Sequence, residues 1–309
     1  MNNNNSAINE LITIRDWIRF AVTEFEASDI FYGHGTDNAY DEAVWLIMSA
    51  LHLPMDTLEN FLDARLIIIE RAKLAGFITR RITQYTPTAY LVKEAWLQGL
   101  KFYVDERVLI PRSFIAELLN NDSNTLDSDN WALSPWIEYP EMVESAADLC
   151  TGSGCLGILL SVAFPNAAID VIDISQDAID VCNINIRNYG LEAQITAIKS
   201  DMFQALKGKK YDVLISNPPY VDTPSMAALP AEYQNEPQLA LGSGVAGLDH
   251  THTILRKAAN HLNDDGILIV EIGHNREVLE AAYPNIIFNW LEVSSGNEFV
   301  FLLTKSQLI

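Results

Sequence analysis

From about Asn9 to Ala95 the apolar side chains recur three and four positions apart. Leu11, Ile14, Ile18 and Val22 form one stripe, and Val44, Ile47, Met48 and Leu51 form another. This is the spacing of helices that bury one face. Pro54 ends the second run, and Asp56 or Thr57 is placed to cap a further helix over about residues 58–79. Arg65, Arg71 and Lys73 lie on it, with Arg80 and Arg81 just beyond; they read either as a solvated face or as a binding surface.

At Trp96 the period shifts towards two. Trp96-Leu97, Lys101 to Val104 and Val108 to Ile110 predict a short hairpin turning at Asp105-Glu106 and stopped by Pro111. Ser113 then caps a helix through Ile115, Leu118 and Leu119. The polar stretch Asn120–Met142 reads as a linker or insertion, part of which packs through Trp131 and Trp136. From Ser145 strands and helices alternate. Strands are expected at 146–149, 168–172, 195–198, 211–216, 267–271, 286–291 and 299–303, with helices at 156–163, 176–189 and 250–262. Alternation of this kind predicts an α/β fold with a parallel sheet covered on both faces. The last two strands are too close for a crossover and predict an antiparallel hairpin.

The expected organisation is therefore a smaller helical domain over residues 1–95, a hairpin connector over 96–112 and a Rossmann-like catalytic domain over 113–309. Bulk properties narrow the class without choosing a function. Apolar residues make up 49% of the 309 and charged residues 20%, which suits a globular enzyme. No run approaches the ~18 apolar residues of a membrane span, and the opening MNNNNSAINE has no signal-peptide character. Cys150, Cys155 and Cys182 are too few for a disulfide framework, so a cytoplasmic location is expected. The net charge is −21, and between Arg112 and Arg187 there is no Lys or Arg. Nucleic-acid binding needs cations against phosphate, so direct nucleic-acid contact is not expected. The acidity either favours a basic protein partner or serves solubility.

Candidate chemistry gathers at the ends of the alternating strands. In Asp148-Leu149-Cys150-Thr151-Gly152-Ser153-Gly154 and Gly157 the three glycines keep the spacing of a nucleotide-binding turn. NAD enzymes share that spacing. An acid at Asp148 suits a ligand ammonium better than a pyrophosphate. Asp173 closes the next strand, where a carboxylate accepts ribose hydroxyls. Asp201 follows the third strand and is placed to accept from an adenine amine, with Met202 or Phe203 packed on the ring. Each acid alone also reads as a helix cap; their order favours a ligand.

Asn217-Pro218-Pro219-Tyr220 follows the fourth strand. Prolines stiffen the backbone and have no N–H, so this turn offers acceptors. The Asn217 side-chain oxygen and the Pro218 carbonyl would hold both hydrogens of a planar NH2 group, with Tyr220 stacked over its plane. Held so, an amide nitrogen gains the localised lone pair that methyl transfer needs. Asp249-His250-Thr251-His252 reads as a helix start more readily than as a metal site. Cys150 and Cys155 read as small packing residues rather than a redox pair.

These residues resemble the bacterial N(5)-glutamine methyltransferases, within them the branch acting on the third large-subunit ribosomal protein. Gly33 to Asn38, Asp41 to Ala43, Tyr103 to Ser113, Asp148 to Cys155, Asn217 to Asp222 and Leu229 to Tyr233 carry the resemblance, which spans about Trp17 to Thr304. It implies S-adenosylmethionine as cofactor, a seven-stranded methyltransferase sheet, cofactor contacts at Cys150 to Gly154, Asp173, Met202 and Asn217, and a glutamine held by Asn217 to Tyr220. It also implies that the N-terminal helices recognise the protein substrate. Glu236-Pro237 and the loop to Asp249 resemble the substrate-side segment, with Ala246 where an Asp is expected. A nucleic-acid adenine methyltransferase would use the same tetrapeptide but needs a basic channel. A binding module, or a dinucleotide oxidoreductase, would leave the tetrapeptide unexplained. Oligomeric state and the modified glutamine are open.

Overall fold

The computed structural model describes residues 3–120 and 131–308. The chain forms two compact units. One comprises Met1–Ala95, Val104–Glu106 and Pro230–Glu236, the other Trp96–Tyr103, Arg107–Leu229 and Pro237–Ile309. The helical unit thus includes seven residues contributed from far along the chain, which the sequence does not announce.

The helical unit holds α1 (Asn3–Glu10), α2 (Ile14–Glu26), α3 (Ala39–Ala50), α4 (Leu58–Phe61), α5 (Ile68–Thr83) and α6 (Thr88–Val92). Trp17 and Phe25 from α2 pack with Leu46, Ile47 and Met48 from α3 and Leu74 and Ile78 from α5. Leu11 lies outside α2, because Thr13 starts it afresh. The Thr13 hydroxyl accepts from the Asp16 N–H, and the Asp16 carboxylate accepts from the Thr13 N–H at 2.9 Å, a reciprocal cap. Asn38 begins α3 likewise, its side-chain oxygen accepting from the Asp41 N–H at 2.9 Å.

The single helix expected over 58–79 is two. Between α4 and α5 the backbone turns outward: Leu66 N–H donates to the Ile12 carbonyl at 2.8 Å, and Arg15 N–H to the Leu62 carbonyl at 2.9 Å. A continuous helix would have kept those groups to itself. Of the cations on and beside α5, Arg65, Lys73 and Arg80 are exposed, as a solvated face requires, and Arg81 is the exception. Arg71 and Lys73 donate to the carbonyls of Leu66 and Ala50. Arg81 is buried, paired with Glu42 and with Glu232, and donates to the Phe31 carbonyl at 2.8 Å.

In the second unit the hairpin is β1 (Ala95–Leu97) and β2 (Leu100–Phe102). It turns at Gln98-Gly99, not at Asp105-Glu106. Both turn residues have positive φ, 48° and 73°, the backbone of a tight two-residue hairpin turn. Residues 108–110 are accordingly not a strand. Next come α7 (Ile115–Leu119), β3 (Ser145–Leu149), α8 (Cys155–Ala163), β4 (Ala168–Asp173), α9 (Gln176–Tyr189), β5 (Ile195–Lys199) and β6 (Tyr211–Ser216). After them lie α10 (Thr223–Ala228), α11 (Asp249–Lys257), β7 (Leu262–Glu271), α12 (Arg276–Ala282), β8 (Asn289–Val293) and β9 (Gly296–Thr304). Trp131 is buried and donates its indole N–H to the Leu118 carbonyl at 2.8 Å; the rest of the expected linker, 121–130, lies outside the described residues.

The seven-stranded sheet runs β5-β4-β3-β6-β7-β9-β8. Its first five strands are parallel, and β9 is antiparallel to both β7 and β8. Apolar clusters cover both faces, as a parallel sheet requires. From β3 the chain winds outward to β5, then returns to β6 on β3's other side. The crevice beyond the carboxyl ends of β3 and β6 is therefore the topological switch point, where ligands bind in open α/β sheets.

Candidate active site

At that switch point lies a cleft of about 830 Å³. Cys150 and Gly152 enter it from the β3 turn, Asp173 and Ser175 from the end of β4, Asp201 and Met202 from β5, and Asn217 and Pro219 from β6. Four successive strand ends thus bring Cys150, Gly152, Asp173, Asp201, Met202, Asn217 and Pro219 together out of the residues that the sequence singles out. Two of the turns hold a non-glycine residue in the left-handed region, Cys150 at φ 61° and Met202 at φ 47°, a conformation that costs about 1–3 kcal/mol and clusters at ligand sites. Gly152 has φ 55°, and a Cβ there would meet open space. Gly154 and Gly157 face inward instead: an added Cβ would collide with Cys182 Sγ and Val171 Cγ1. The glycine spacing therefore does two jobs, presenting backbone at Gly152 and packing helix on sheet at the other two.

Asp173 is the most fully engaged acid. Its two oxygens accept from the N–H groups of Gly152 and Ser175, each at 2.9 Å. This locks the turn to the end of β4 and leaves further lone pairs. Burial nevertheless raises its pKa above the ordinary carboxylate value. Asp201 is exposed and accepts from Gln204 at 2.7 Å.

Asp148 departs from its expected role. It does not line the cleft and is only 1% exposed. Side chains alternate along a strand, and position 148 points beneath α8, its Oδ2 3.8 Å from where a Gly157 Cβ would sit. That oxygen accepts from the Thr151 hydroxyl at 2.5 Å, and Oδ1 meets no partner among the described residues. Burial pushes the Asp148 carboxyl up to about 7. Thr151, Ser153 and Gly154 also lie off the cleft wall. They shape the turn: the Ser153 carbonyl accepts from Asn185, and the Gly154 N–H donates to Thr151.

In the tetrapeptide, Asn217 donates its side-chain N–H to the Arg112 carbonyl at 3.1 Å. Its nitrogen is thereby committed, and the amide is turned so that Oδ1 is the atom left to accept. Pro218 is buried and Tyr220 half-buried, and neither lines the cleft. The Tyr220 ring lies against Gly273, where a Cβ would come within 2.8 Å of it.

Several lining residues were not singled out by the sequence, and one, His250, was read there only as part of a helix start. Ile172, Ile174, Ala178 and Leu239 supply apolar walls, and His250 reaches the cleft from the start of α11. His250 Nδ1 pairs with the Ser243 hydroxyl at 2.7 Å, and burial lowers its pKa, keeping it neutral. Among the described residues no group of three His, Cys, Asp or Glu side chains is gathered for a metal. The three thiols are free and buried or half-buried, and burial pushes all of them up, so none is a thiolate at neutral pH.

Comparison with known proteins decides the family. The methyltransferase small domain model matches residues 125–229. A ribosomal protein uL3 glutamine methyltransferase of Neisseria gonorrhoeae is 54% identical over 305 residues, covering 99% of this chain and 98% of that protein. The chain belongs to the ribosomal protein uL3 glutamine methyltransferase family. Another relative of the same name, from Bordetella pertussis, is 47% identical over 308 residues, covering 100% of this chain and 99% of its own length. Among solved structures, the hMettl16 catalytic domain in complex with the MAT2A 3'UTR hairpin 6 aligns with a TM-score of 0.50 at 13% identity, over 76% of this chain and 80% of that one. That likeness supports the methyltransferase fold of the second unit.

Within the family's sequence, the glycine turn and tetrapeptide were legible as motifs. The partners that hold them were not. Arg112 meets Asn217 through its backbone carbonyl, while Gly247, Glu271 and Asn275 lie 27, 51 and 55 residues beyond Tyr220. No spacing in the sequence ties them to it.

Proposed function

We propose that this enzyme transfers a methyl group to the side-chain amide nitrogen of a glutamine in ribosomal protein uL3, with S-adenosylmethionine as donor. The observation that carries the reading is the orientation of Asn217: with its nitrogen given to Arg112, its oxygen faces the task of accepting from an NH2 group.

The cleft fits the cofactor on its own chemistry. The charged residues at its walls are Asp173, Asp201 and Arg107, a balance that suits a cationic ligand and not a polyphosphate. Asp173 would take the ribose hydroxyls, Asp201 the adenine amine, and Met202, Ile174 and Ala178 the ring faces. Cys150 and Gly152 would approach with their backbones. S-adenosylmethionine held there supplies an electrophilic sulfonium methyl.

The protein's own part is to make an amide nitrogen nucleophilic. Its lone pair is delocalised into the carbonyl, so the nitrogen must be held with its hydrogens fixed and its lone pair directed at the methyl carbon. Asn217 Oδ1 and the Pro218 carbonyl accept the two hydrogens, and Pro219 keeps the turn rigid. Tyr220 lies over the amide plane. The amide nitrogen would bond to the methyl carbon as that carbon's bond to sulfur breaks, and the proton it then loses would pass to solvent, because the Asn217 and Pro218 carbonyl oxygens are too weakly basic to keep it. Rate then comes from positioning and aimed dipoles.

The helical unit, residues 1–95, would recognise the protein substrate. In support, the His34 to Asn38 segment, among the narrowest parts of the family resemblance, opens α3 in that unit. A basic ribosomal protein also complements a chain of net charge −21. No direct nucleic-acid contact is part of this reading, and a ribosomal substrate agrees with a cytoplasmic location. The test is transfer of radiolabel from S-adenosylmethionine to purified hypomethylated ribosomal proteins, with release factors and tRNA alongside. Label mapped to a glutamine of uL3 supports the proposal; label in release factor keeps the chemistry and moves the substrate; label confined to tRNA overturns it.

A further inference from the structure

An amide side chain has nearly the same shape in both of its flipped orientations, and only one of them gives Asn217 an oxygen to offer. What selects that orientation is the Arg112 carbonyl, 3.1 Å from Asn217 Nδ2. A backbone carbonyl in a loop performs such a task only if the loop is itself fixed. Pro111 stiffens one side of it. On the other side the Ser113 hydroxyl and the Phe114 N–H both donate to Glu271 Oε2, at 2.6 and 2.9 Å.

Glu271 is the last residue of β7 and is 2% exposed. Burying a carboxyl is costly, and an apolar residue would fill the space at less expense. Register explains what the carboxyl achieves there. Ser216 of β6 pairs with Val270 of β7, and Asn217 and Glu271 are the residues that immediately follow. The two ends of the chain of contacts, Glu271 to Ser113 and Phe114, Arg112 carbonyl to Asn217, are thus rooted in adjacent strands of one sheet.

We propose that Glu271 is a positioning residue for methyl transfer, fixing through Ser113 and Phe114 the Arg112 carbonyl that orients the Asn217 amide. The inference rests on the reading of Asn217 as the group that receives the acceptor NH2. Glu271→Ala is expected to lower kcat by about 100-fold, the scale of loss when a reacting group is misplaced by an ångström. The KM for S-adenosylmethionine, and the affinity for S-adenosylhomocysteine, are expected to stay within about twofold. Glu271→Gln keeps an oxygen for the Phe114 N–H and should restore at least about a tenth of the wild-type rate.

The decisive comparison is Glu271→Ala in an Asn217→Ala background. A residue acting through Asn217 adds no further loss there, whereas a general structural role multiplies the two losses. Multiplied losses, or a Glu271→Ala enzyme with wild-type kcat, overturn the proposal. A second measurement does not depend on any substrate. In full-length protein carrying ¹⁵N-labelled asparagine, the Asn217 side-chain NH2 resonance, assigned by its loss in Asn217→Ala, should move in Glu271→Ala and in Ser113→Ala. An unmoved resonance overturns the proposal. Absence of wild-type transfer to uL3 would sink the functional reading while the resonance still judges the relay.

Discussion

Asn275 donates its side-chain amide to the Tyr220 carbonyl at 2.9 Å and to the Ile272 carbonyl at 3.0 Å. One side chain thereby ties the end of the Asn217–Tyr220 tetrapeptide to the loop that follows β7. Gly247 leaves room for the arrangement: a Cβ there would lie 2.4 Å from the same Tyr220 oxygen, and its φ is 71°. Gly247→Ala is therefore expected to displace Tyr220 and lower kcat by about 10–100-fold. Cofactor affinity, read by titration with S-adenosylhomocysteine, should change little. Equal activity in the variant would show that Tyr220 tolerates a shift.

Asn217→Ala removes the acceptor proposed for the substrate amide without touching the core. Methyl transfer should fall by about 10²–10³-fold, the usual loss on deleting one aimed polar group at a reacting centre. The thermal midpoint should hold within a few degrees. Initial-rate kinetics and a melting curve on the same preparation check both halves.

Asp173→Ala separates cofactor binding from chemistry. It deletes the acceptor proposed for the ribose and frees the Gly152 and Ser175 N–H groups. Charge-assisted hydrogen bonds contribute roughly 1.5–3 kcal/mol each, so affinity for S-adenosylhomocysteine should weaken by at least about tenfold. Calorimetric titration would measure it, and unchanged affinity would move the ribose elsewhere in the cleft.

Acid–base linkage offers a test of burial at Glu271. Its carboxyl is raised by burial from 4.5 to about 7, so between those values the folded protein holds a proton that the unfolded chain has released. Its contribution to stability is fully present below about pH 4.5 and is lost as pH rises through 7. The loss is on the order of 3 kcal/mol for a shift of this size. Urea unfolding of wild type and Glu271→Gln at pH 5, 6, 7 and 8 should show the variant gaining relative stability across that range. A constant difference would mean that the carboxyl is ionised throughout.

Arg81 sits between Glu42 and Glu232, all three no more than 4% exposed. Arg81→Met fits an apolar chain into that space but leaves two buried carboxylates without their cation. Breaking such a pair costs about 3–5 kcal/mol, enough to lower the melting temperature markedly. Glu42→Gln combined with Glu232→Gln in the Arg81→Met background should recover part of the loss.

The parts of the fold that were legible in the sequence are those fixed by local pattern. The alternation after Ser145 gave the strands of the sheet to within a few residues, since each is an apolar run bounded by turn chemistry. The glycine turn, Asp173 and the tetrapeptide were legible as candidates because each closes a strand, and the sheet order brings those strand ends side by side at its switch point. The helix around Arg65 was misread, because hydrogen bonds from Leu66 to Ile12 break it and lie 54 residues apart in the chain. The hairpin turn was misplaced because Gln98-Gly99 competes with the more usual-looking Asp105-Glu106. Asp148 was placed in the ligand's path because a residue type reveals charge but not which face of β3 it occupies. The Glu271 and Asn275 contacts had no signature at all, being pairings across the sheet's edge.

The place of β9 has a consequence for biogenesis. Residues 296–304 lie between β7 and β8 in the sheet, yet they emerge after every other strand when the chain is synthesised. Until they arrive β7 is an open edge, and the strand that ends at Glu271 has a neighbour on one side only. Synthesis runs from the N-terminus and domains fold as units, so the nascent chain carries its glycine turn and its tetrapeptide before the sheet that braces them is closed. Competence would then switch on late, with the arrival of the last strand, and a chain stalled before residue 296 would expose an edge that invites aggregation.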